Sequence, residues 1–387
     1  MERIDVPVLA GETALKNARI VISINTAWNV ANFRAGLIKA LIGKGFEVIV
    51  VAPPDDYVGL VESLGCRFIP IKMDNKGTNP ILDLRLMIDY YFIFRNVRPL
   101  CYLGYTIKPN VYGSLAAGIL GISSINNVAG LGTAFIKKTW LTRVVMKLYQ
   151  WAFSKSFRVF FQNSDDLDYF VKSGLVRSDI AVRIPGSGID TKRFVAGKFE
   201  KNKREPFRFI LIARLLWDKG VGEYVEAARK IKSRHADVEV QLLGFLDVKN
   251  RTAISRDQVD QWESEGVLTY MGSTDNVMPY IDQADCVVLP SYREGVPRIL
   301  LEAASMSKPV IATDAVGCRD AVDDGVTGYV AKVKDSSDLA DKMEKMLLLS
   351  ESERMEMGRR GRIKMEREFD ESFVIDTYVD AIGKLCT

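Results

Sequence analysis

The chain predicts an α/β protein made of two doubly wound domains, each a parallel sheet with helices on both faces. Three observations carry this. Short β-branched runs alternate with longer stretches of helical periodicity along the chain. A length of 387 residues exceeds one ordinary core, so two domains is the default. The alternation breaks once, around residues 185–204. There a Gly186-Ser187-Gly188 turn precedes a charged stretch holding Lys192, Arg193, Lys198, Glu200, Lys201, Lys203 and Arg204.

In the first half, strands are expected at 19–24, 46–52, 66–71, 100–104, 123–126, 158–161 and 181–184, with helices such as 31–44 and 83–97 between them. The pattern resumes with strands at 207–213, 238–243, 267–271, 286–289 and 310–313, and residues 335–385 read as helical. No tandem repeat or low-complexity tract is visible. Ligands of such sheets bind beyond the carboxyl ends of the strands. With two such domains, the natural site is a cleft between them.

Composition excludes several classes. The formal net charge is only +4, and 48% of residues are apolar, enough for two cores. Five cysteines (Cys66, Cys101, Cys286, Cys318, Cys386) are scattered without a CxxC pair, as reduced thiols in a cytosolic protein would be. The first residues carry Glu2, Asp5 and Glu12 and do not read as a secretory signal. The longest apolar stretch, near 115–125, is interrupted by Gly118, Gly121 and two serines and is too short to span a bilayer. One histidine, His235, argues against a histidine metal site or a His-based triad. There is no GxxxxGK[ST] loop, which disfavours an NTPase. Gly130-Leu131-Gly132 and the Gly186–Gly188 turn lack the third glycine of a dinucleotide loop.

The densest chemistry lies in Pro290-Ser-Tyr-Arg-Glu-Gly-Val-Pro-Arg-Ile-Leu-Leu-Glu-Ala-Ala304. It ends an apolar strand and opens a helix with Pro297 near its first position. The first amides of a helix can hold an anion, and Gly295 admits a ligand close to the backbone. Glu294 and Glu302 add acceptors suited to hydroxyl groups. Glu302 sits among Leu300, Leu301, Ala303 and Ala304, where an unpaired charge is costly. Phosphate plus polyol is what a nucleotide sugar presents. Earlier, Arg214 and Lys219 follow the strand at 207–213, with Gly220 and a helix after them. Two cations at a strand–turn–helix junction suit a diphosphate.

Between Asp89 and Asp165 there is no acidic residue, whereas Arg95, Arg98, Lys108, Lys137, Lys138, Arg143, Lys147, Lys155 and Arg158 all fall there. Within it Ile136, Trp140, Leu141, Val144, Val145, Leu148, Trp151 and Ala152 recur at helical spacing, with Arg143 and Lys147 on another face. Two readings stand: a membrane-surface helix, or a helix packed on its own sheet with a solvated basic face. No nucleic-acid module accompanies the basic stripe, so nucleic acid is not an expected partner. After the first strand, Asn25, Asn29, Asn32 and Arg34 form a polar loop and helix start at a carboxyl end.

These motifs resemble those of the retaining, GT-B-fold glycosyltransferases that use nucleotide-sugar donors, the family 4-like group. The match runs through Ile212-Ala-Arg-x5-Lys-Gly220, Met271-Gly272 with Asp275-Asn-Val277, Leu289-Pro-Ser291, Glu294-Gly-Val-Pro-x4-Glu302-Ala303, Lys308-Pro-Val-Ile-Ala-Thr-Asp314 with Gly317, and Asp324-Gly-Val-Thr-Gly328. In the first half, Thr106-Ile-Lys-Pro-Asn-Val-Tyr-Gly-Ser114, Asn127-Val-Ala-Gly-Leu-Gly132 and Gly186-Ser-Gly-Ile-Asp190 are similar to the subgroup that extends polyprenyl-diphosphate-linked oligosaccharides.

The resemblance implies two Rossmann-like domains facing each other across a cleft. Residues 1–188 would be the acceptor-binding domain, completed by a returning helix at 371–387, and residues 189–370 the donor-binding domain. It implies that Arg214 and Lys219 hold the donor diphosphate and that Glu302 accepts from the ribose hydroxyls. Glu294 would bind the donor sugar, with the backbone of Gly295, Val296, Pro297, Arg298 and Ile299 close by. Gly244 and Phe245 would lie near the base, and Asp314 and Gly317 would shape the pocket floor. Arg214, Lys219 and Glu294 would carry the catalysis. Asn25, Asn29, Asn32, Arg34, Lys108, Lys137, Lys138, Arg143 and Lys147 would serve the acceptor and the membrane. The implied partners are a UDP-sugar donor, a lipid-linked saccharide acceptor and an anionic membrane surface, with no cofactor and no metal. The implied location is the cytoplasm, at the inner face of the inner membrane. The sequence departs from the family pattern at Asn25 to Asn32, where many members have paired glycines, at Ala213, where many have glycine, and in lacking a histidine in the first domain. A nucleotide-sugar epimerase of the same fold and a non-catalytic nucleotide-sugar-binding protein are the competing readings.

Overall fold

The computed structural model describes residues 17–75, 77, 79–131, 140–197, 206–246, 250 and 252–386. The chain divides into two compact units, one of residues 1–187 and 372–387, the other of residues 188–371.

The first unit is a seven-stranded sheet in the order β3-β2-β1-β4-β5-β6-β7, every described pairing parallel. Its strands are β1 (Arg19–Ser23), β2 (Glu47–Ala52), β3 (Arg67–Pro70), β4 (Cys101–Tyr105), β5 (Ser123–Val128), β6 (Arg158–Phe161) and β7 (Ala181–Arg183). The β-branched runs read from the sequence are these strands. Most are near-continuously apolar because both faces are covered, while β5 (Ser-Ser-Ile-Asn-Asn-Val) is mostly polar though buried. Ile20, Ile22, Val48, Val50 and Leu103 point to one face. There they meet α1 (Ala27–Phe33), α2 (Ala35–Gly43), α3 (Val58–Ser63) and the last helix α14 (Glu371–Gly383), which contributes Val374, Tyr378 and Ile382. Val21, Ile49, Val51 and Tyr102 point to the other face. That face carries α4 (Pro80–Val97), a π-helical turn (Pro109–Gly113) and α5 (Ser114–Ile119), followed by α6 (Trp140–Phe153) and α7 (Ser164–Lys172). Each buried Val, Leu or Ile contributes roughly 1.5–3 kcal/mol.

Local chemistry sets the helix ends. Thr26 accepts the Asn29 amide at the start of α1, and Asn79 with Pro80 starts α4. Arg98 ends α4 in the left-handed region at φ 49°. The expected helix at 31–44 is two helices, because the chain breaks at Arg34, φ −129°.

The second unit is a six-stranded parallel sheet, β10-β9-β8-β11-β12-β13. Its strands are β8 (Phe207–Ile212), β9 (Val238–Leu243), β10 (Thr269–Tyr270), β11 (Cys286–Leu289), β12 (Val310–Thr313) and β13 (Gly328–Ala331). The sequence reading did not include β13. A Cβ at Gly328 would sit 2.1 Å from the Val310 carbonyl oxygen, so the strand closes on β12 only through glycine. Helices α8 (Val221–Arg234), α9 (Arg256–Ser264), α10 (Met278–Gln283), α11 (Arg298–Ser305), α12 (Ser336–Leu348) and α13 (Glu351–Lys364) flank it. A second π-helical turn, Met365–Phe369, links α13 to α14. In each sheet the strand order reverses once, between β1 and β4 and between β8 and β11. Those reversal points are where ligands of doubly wound sheets bind.

Candidate active site

In the second unit the turns after β8, β11 and β12 belong to adjacent strands, so they touch. The β8 turn runs through exposed Arg214, buried Leu215 and Leu216, and a 3-10 turn at Trp217–Lys219. Gly220 then adopts φ 71° and opens α8. A Cβ there would lie 2.0 Å from the carbonyl oxygen of Pro290, in the β11 turn. The same two turns are stitched by the Tyr292 amide donating to the Asp218 carbonyl at 3.0 Å. Gly317, at φ 79° in the β12 turn, is pressed against the carbonyls of Glu294 and Gly295, at 2.5 and 2.1 Å from where a Cβ would stand. The Glu294 amide donates to the Val316 carbonyl at 2.9 Å. The β9 turn joins the cluster, since a Cβ on Gly244 would meet the Ala213 carbonyl oxygen. Phe245 beside it is 44% exposed.

This packing sets the side-chain geometry. Lys219 forms an ion pair with Glu294, and Ser291 Oγ donates to Glu294 Oε1 at 2.8 Å. Thr313 in turn donates to the Ser291 carbonyl. A cation from one βα turn and a carboxylate from the next therefore meet at the reversal point. Arg214 has no ion-pair partner among the described residues. Glu302 does not join them: it pairs with Arg298 Nε at 3.1 Å, both side chains largely buried. Burial holds the Glu302 carboxyl above its usual range, against the opposing pull of Arg298 and then of Arg193. Pro297 is the residue before the helix, φ −75° and ψ 110°, so Arg298 rather than Pro297 occupies the first helical position. Asp314 is exposed and paired with Arg319 at 3.1 Å.

In the first unit the polar loop after β1 forms local contacts. Asn29 Nδ2 donates to Asn25 Oδ1 at 3.1 Å, and Asn32 Nδ2 to the Trp28 carbonyl at 2.9 Å. Arg34 is not a surface cation. It is 5% exposed, stacks over the Tyr105 ring at 4.2 Å and donates to the Phe33 carbonyl that ends α1. Lys108 is likewise held inside, on Asp83 Oδ1 at 2.5 Å, while Tyr112 donates to Asp83 Oδ2. Lys137 and Lys138, with Ile136, lie outside the described residues.

On α6, Arg143 and Lys147 are exposed, but Val144 and Trp151 stand on the same side. The buried face is Thr142, Tyr149, Ala152 and Phe153. At 100° per residue, positions 143, 144, 147 and 151 share one arc, so the expected separation of apolar and basic faces is corrected. A larger surface went unread in the sequence. The side of α4 opposite its buried residues Asp83, Leu86, Tyr90, Phe94 and Val97 presents Ile81, Leu84, Arg85, Ile88, Phe92 and Arg95, all exposed. Helix α4 packs beside α5, and α5 beside α6, so these outward sides belong to one helical layer. The 3.6-residue spacing of the α4 apolar set was visible. Nothing in it told the outer stripe from the inner one.

Both sheets and both reversal points define a GT-B architecture, and comparison with known proteins agrees. Residues 193–364 match the glycosyl transferases group 1, and residues 19–163 match the glycosyl transferase 4-like group. Two glycosyltransferase family models thus match successive parts of the chain, and its fold is that of the GT-B glycosyltransferases. It is 28% identical over 367 residues to an N,N'-diacetylbacillosaminyl-diphospho-undecaprenol alpha-1,3-N-acetylgalactosaminyltransferase of Campylobacter jejuni, covering 91% of this chain and 94% of that one. It is 23% identical to the capsular polysaccharide biosynthesis glycosyltransferase CapM of Staphylococcus aureus, covering 93% and 95%. Among solved structures it is similar to Anabaena HepE in complex with UDP and glucose, with a TM-score of 0.79 at 16% identity, covering 95% and 100%.

Proposed function

We propose that this glycosyltransferase moves a sugar, best assigned as an N-acetylhexosamine, from a UDP-sugar to a polyprenyl-diphosphate-linked saccharide in surface-glycan or glycoprotein-glycan assembly, with retention of configuration. The observation that carries the donor site is the meeting of Lys219 and Glu294 across two neighbouring βα turns. The near-full-length similarity to a transferase named for an undecaprenol-diphosphate acceptor supports the acceptor class.

In this scheme the bond between the anomeric carbon and the diphosphate oxygen breaks first. Arg214, Lys219 and the amides at the start of α11 stabilise the departing charge. Glu294 holds the sugar hydroxyls and Glu302 the ribose. The acceptor hydroxyl attacks from the face the diphosphate leaves, and its proton passes to the departing phosphate oxygen. No protein nucleophile is required, which suits a first domain whose sequence has no histidine. The two cations supply the positive charge that a metal would otherwise bring, and we take transfer to be metal-independent.

No helix among the described residues is long and apolar enough to cross a membrane. We assign membrane contact to the layer of α4 and α6, peripheral on the cytoplasmic face of the inner membrane. Exposed Ile81, Leu84, Ile88 and Phe92 would enter the headgroup boundary while Arg85, Arg95, Arg143 and Lys147 meet anionic headgroups. The test is consumption of UDP-N-acetylhexosamine with and without a polyprenyl-diphosphate saccharide. Acceptor-dependent UDP release with an α-linked product is expected. Conversion of the donor alone would mean epimerisation, and no turnover would mean a binding protein.

A further inference from the structure

The helix carrying Glu302 contains an arginine that the scheme above leaves idle as a side chain. Arg298 stands one turn before Glu302 on α11. Its Nε donates to Glu302 Oε1 at 3.1 Å, and the two side chains are only 17% and 12% exposed. Its other arm, Nη1, donates to the Gly188 carbonyl at 3.0 Å, and the guanidinium lies 6.0 Å from the centre of the Phe194 ring. An ordinary i,i+4 pair on a solvated helix contributes a few tenths of a kcal/mol and fixes nothing. This one is withdrawn from water, and both arms of its fork are engaged.

Gly188 is itself a constrained point. It has φ 71°, and a Cβ there would stand 2.4 Å from Glu371 Cα. It begins the second unit, and Glu371 ends it. The neighbouring amides of Ile189 and Glu371 pair with the carbonyls of Phe369 and Ile189. Arg298 therefore connects the Glu302 carboxylate to the place where the chain enters and leaves the donor unit.

We propose that Arg298 is a positioning residue: it aims the Glu302 carboxylate for the ribose hydroxyls and anchors it to the Gly188 carbonyl. The inference rests on the nucleotide-sugar reading of the site. The charged groups facing Glu302 are Arg298 on its own helix and Arg193 from the segment after Gly188. Arg362 of α13, which packs on α11, is engaged with the carbonyls of Thr191, Phe194 and Ser305 and with Glu366. Burial favours the neutral carboxyl of Glu302, and Arg298 opposes it. The ionised carboxylate accepts from both ribose hydroxyls with charge-assisted bonds, whereas the neutral acid turns one oxygen into a donor and accepts more weakly. Removing Arg298 moves the protonation of Glu302 to higher pH, so the variant loses ribose recognition first at the acid end.

The test is calorimetric binding of UDP to the intact chain, from about pH 5 to about pH 8, for wild type, Arg298→Gln, Arg298→Lys and Glu302→Gln. Arg298→Gln is expected to weaken UDP about tenfold at the acid end for each unit the carboxyl moves, with recovery toward the alkaline end. Its preference for UDP over 2′-deoxy-UDP should shrink. Arg298→Lys, which keeps the charge but not the fork, should keep the wild-type pH profile. On a Glu302→Gln background, Arg298→Gln should add nothing. A loss of equal size at every pH, tracking only a lower unfolding temperature without nucleotide, would reduce Arg298 to a structural helix residue and overturn the proposal. Unchanged UDP binding in Arg298→Gln would overturn it equally. If wild type bound neither UDP nor any other ribonucleoside diphosphate, the donor reading itself would fall, a result distinct from the other two.

Discussion

The two units are built on the same plan and wired oppositely. In the second, charged side chains turn inward: Lys219 lies on Glu294 at the reversal point, and Arg298 on Glu302 along α11. In the first, the carboxyl ends of β4 and β5 bury neutral amides and hydroxyls. Asn126 donates to Ser114 and Asn110, Asn110 to the Asn127 carbonyl, and Asn127 to Tyr378 of α14. Most of its basic residues face outward instead, beside exposed apolar ones. A satisfied neutral network is a rigid support. An ion pair between touching turns can exchange its protein partner for a charged ligand. On the proposed function, the second unit would hold an activated anion and the first would present a surface.

The comparison can be broken most severely at Arg214. Arg214→Ala removes an exposed side chain, so unfolding temperature should hardly move, while turnover falls by about 10²–10³-fold. Full turnover would take the diphosphate out of this turn. Next come the glycines that let the turns touch. Gly220→Ala or Gly317→Ala drives a Cβ into a neighbouring carbonyl at positive φ, costing roughly 1–3 kcal/mol in denaturant titration. UDP affinity should fall with it, and a stable variant with intact UDP binding would show the turns to be loose.

On the other unit, Ile88→Ser with Phe92→Ser should cut flotation with anionic vesicles by the burial of two large side chains, roughly 3–6 kcal/mol at most. Neutralising Arg143 and Lys147 should cost less, about 1 kcal/mol per residue at low salt, and should vanish near 1 M salt. Vesicle binding unaffected by either pair would leave the α4–α6 layer a solvated face. The smallest effect is expected from chelation: excess EDTA should leave transfer unchanged, and a loss restored by a divalent cation would contradict the charge assignment to Arg214 and Lys219.

How much of this the sequence disclosed differs between the units for a physical reason. The turns after β8, β11 and β12 were readable because their constraints are local. Gly220, Gly295 and Gly317 fall at fixed offsets from apolar strands, and Glu294 and Glu302 straddle one helix start. What escaped was the choice of partner. Glu302 pairs with Arg298 one helical turn away, and Lys219 with Glu294 across 75 positions, and spacing alone cannot rank such pairings. Strand β13 escaped because it is short and begins at a glycine that reads as a turn. In the first unit the contacts span greater separations, such as Asn127 to Tyr378, and Lys108 looked like one more basic residue until Asp83 was placed beside it. Periodicity located helices α4 and α6, but which arc faced the sheet depended on the strands they cover.

The central claim is that adjacent βα turns of the second unit grip one nucleoside diphosphate. Calorimetric titration of UDP into the intact wild type and into Arg214→Ala, Lys219→Ala and Glu302→Ala tests it most directly. The account predicts that each variant stays folded and binds UDP about tenfold or more weakly, in line with charge-assisted contacts of roughly 1.5–3 kcal/mol. Wild-type affinity in all three would contradict it.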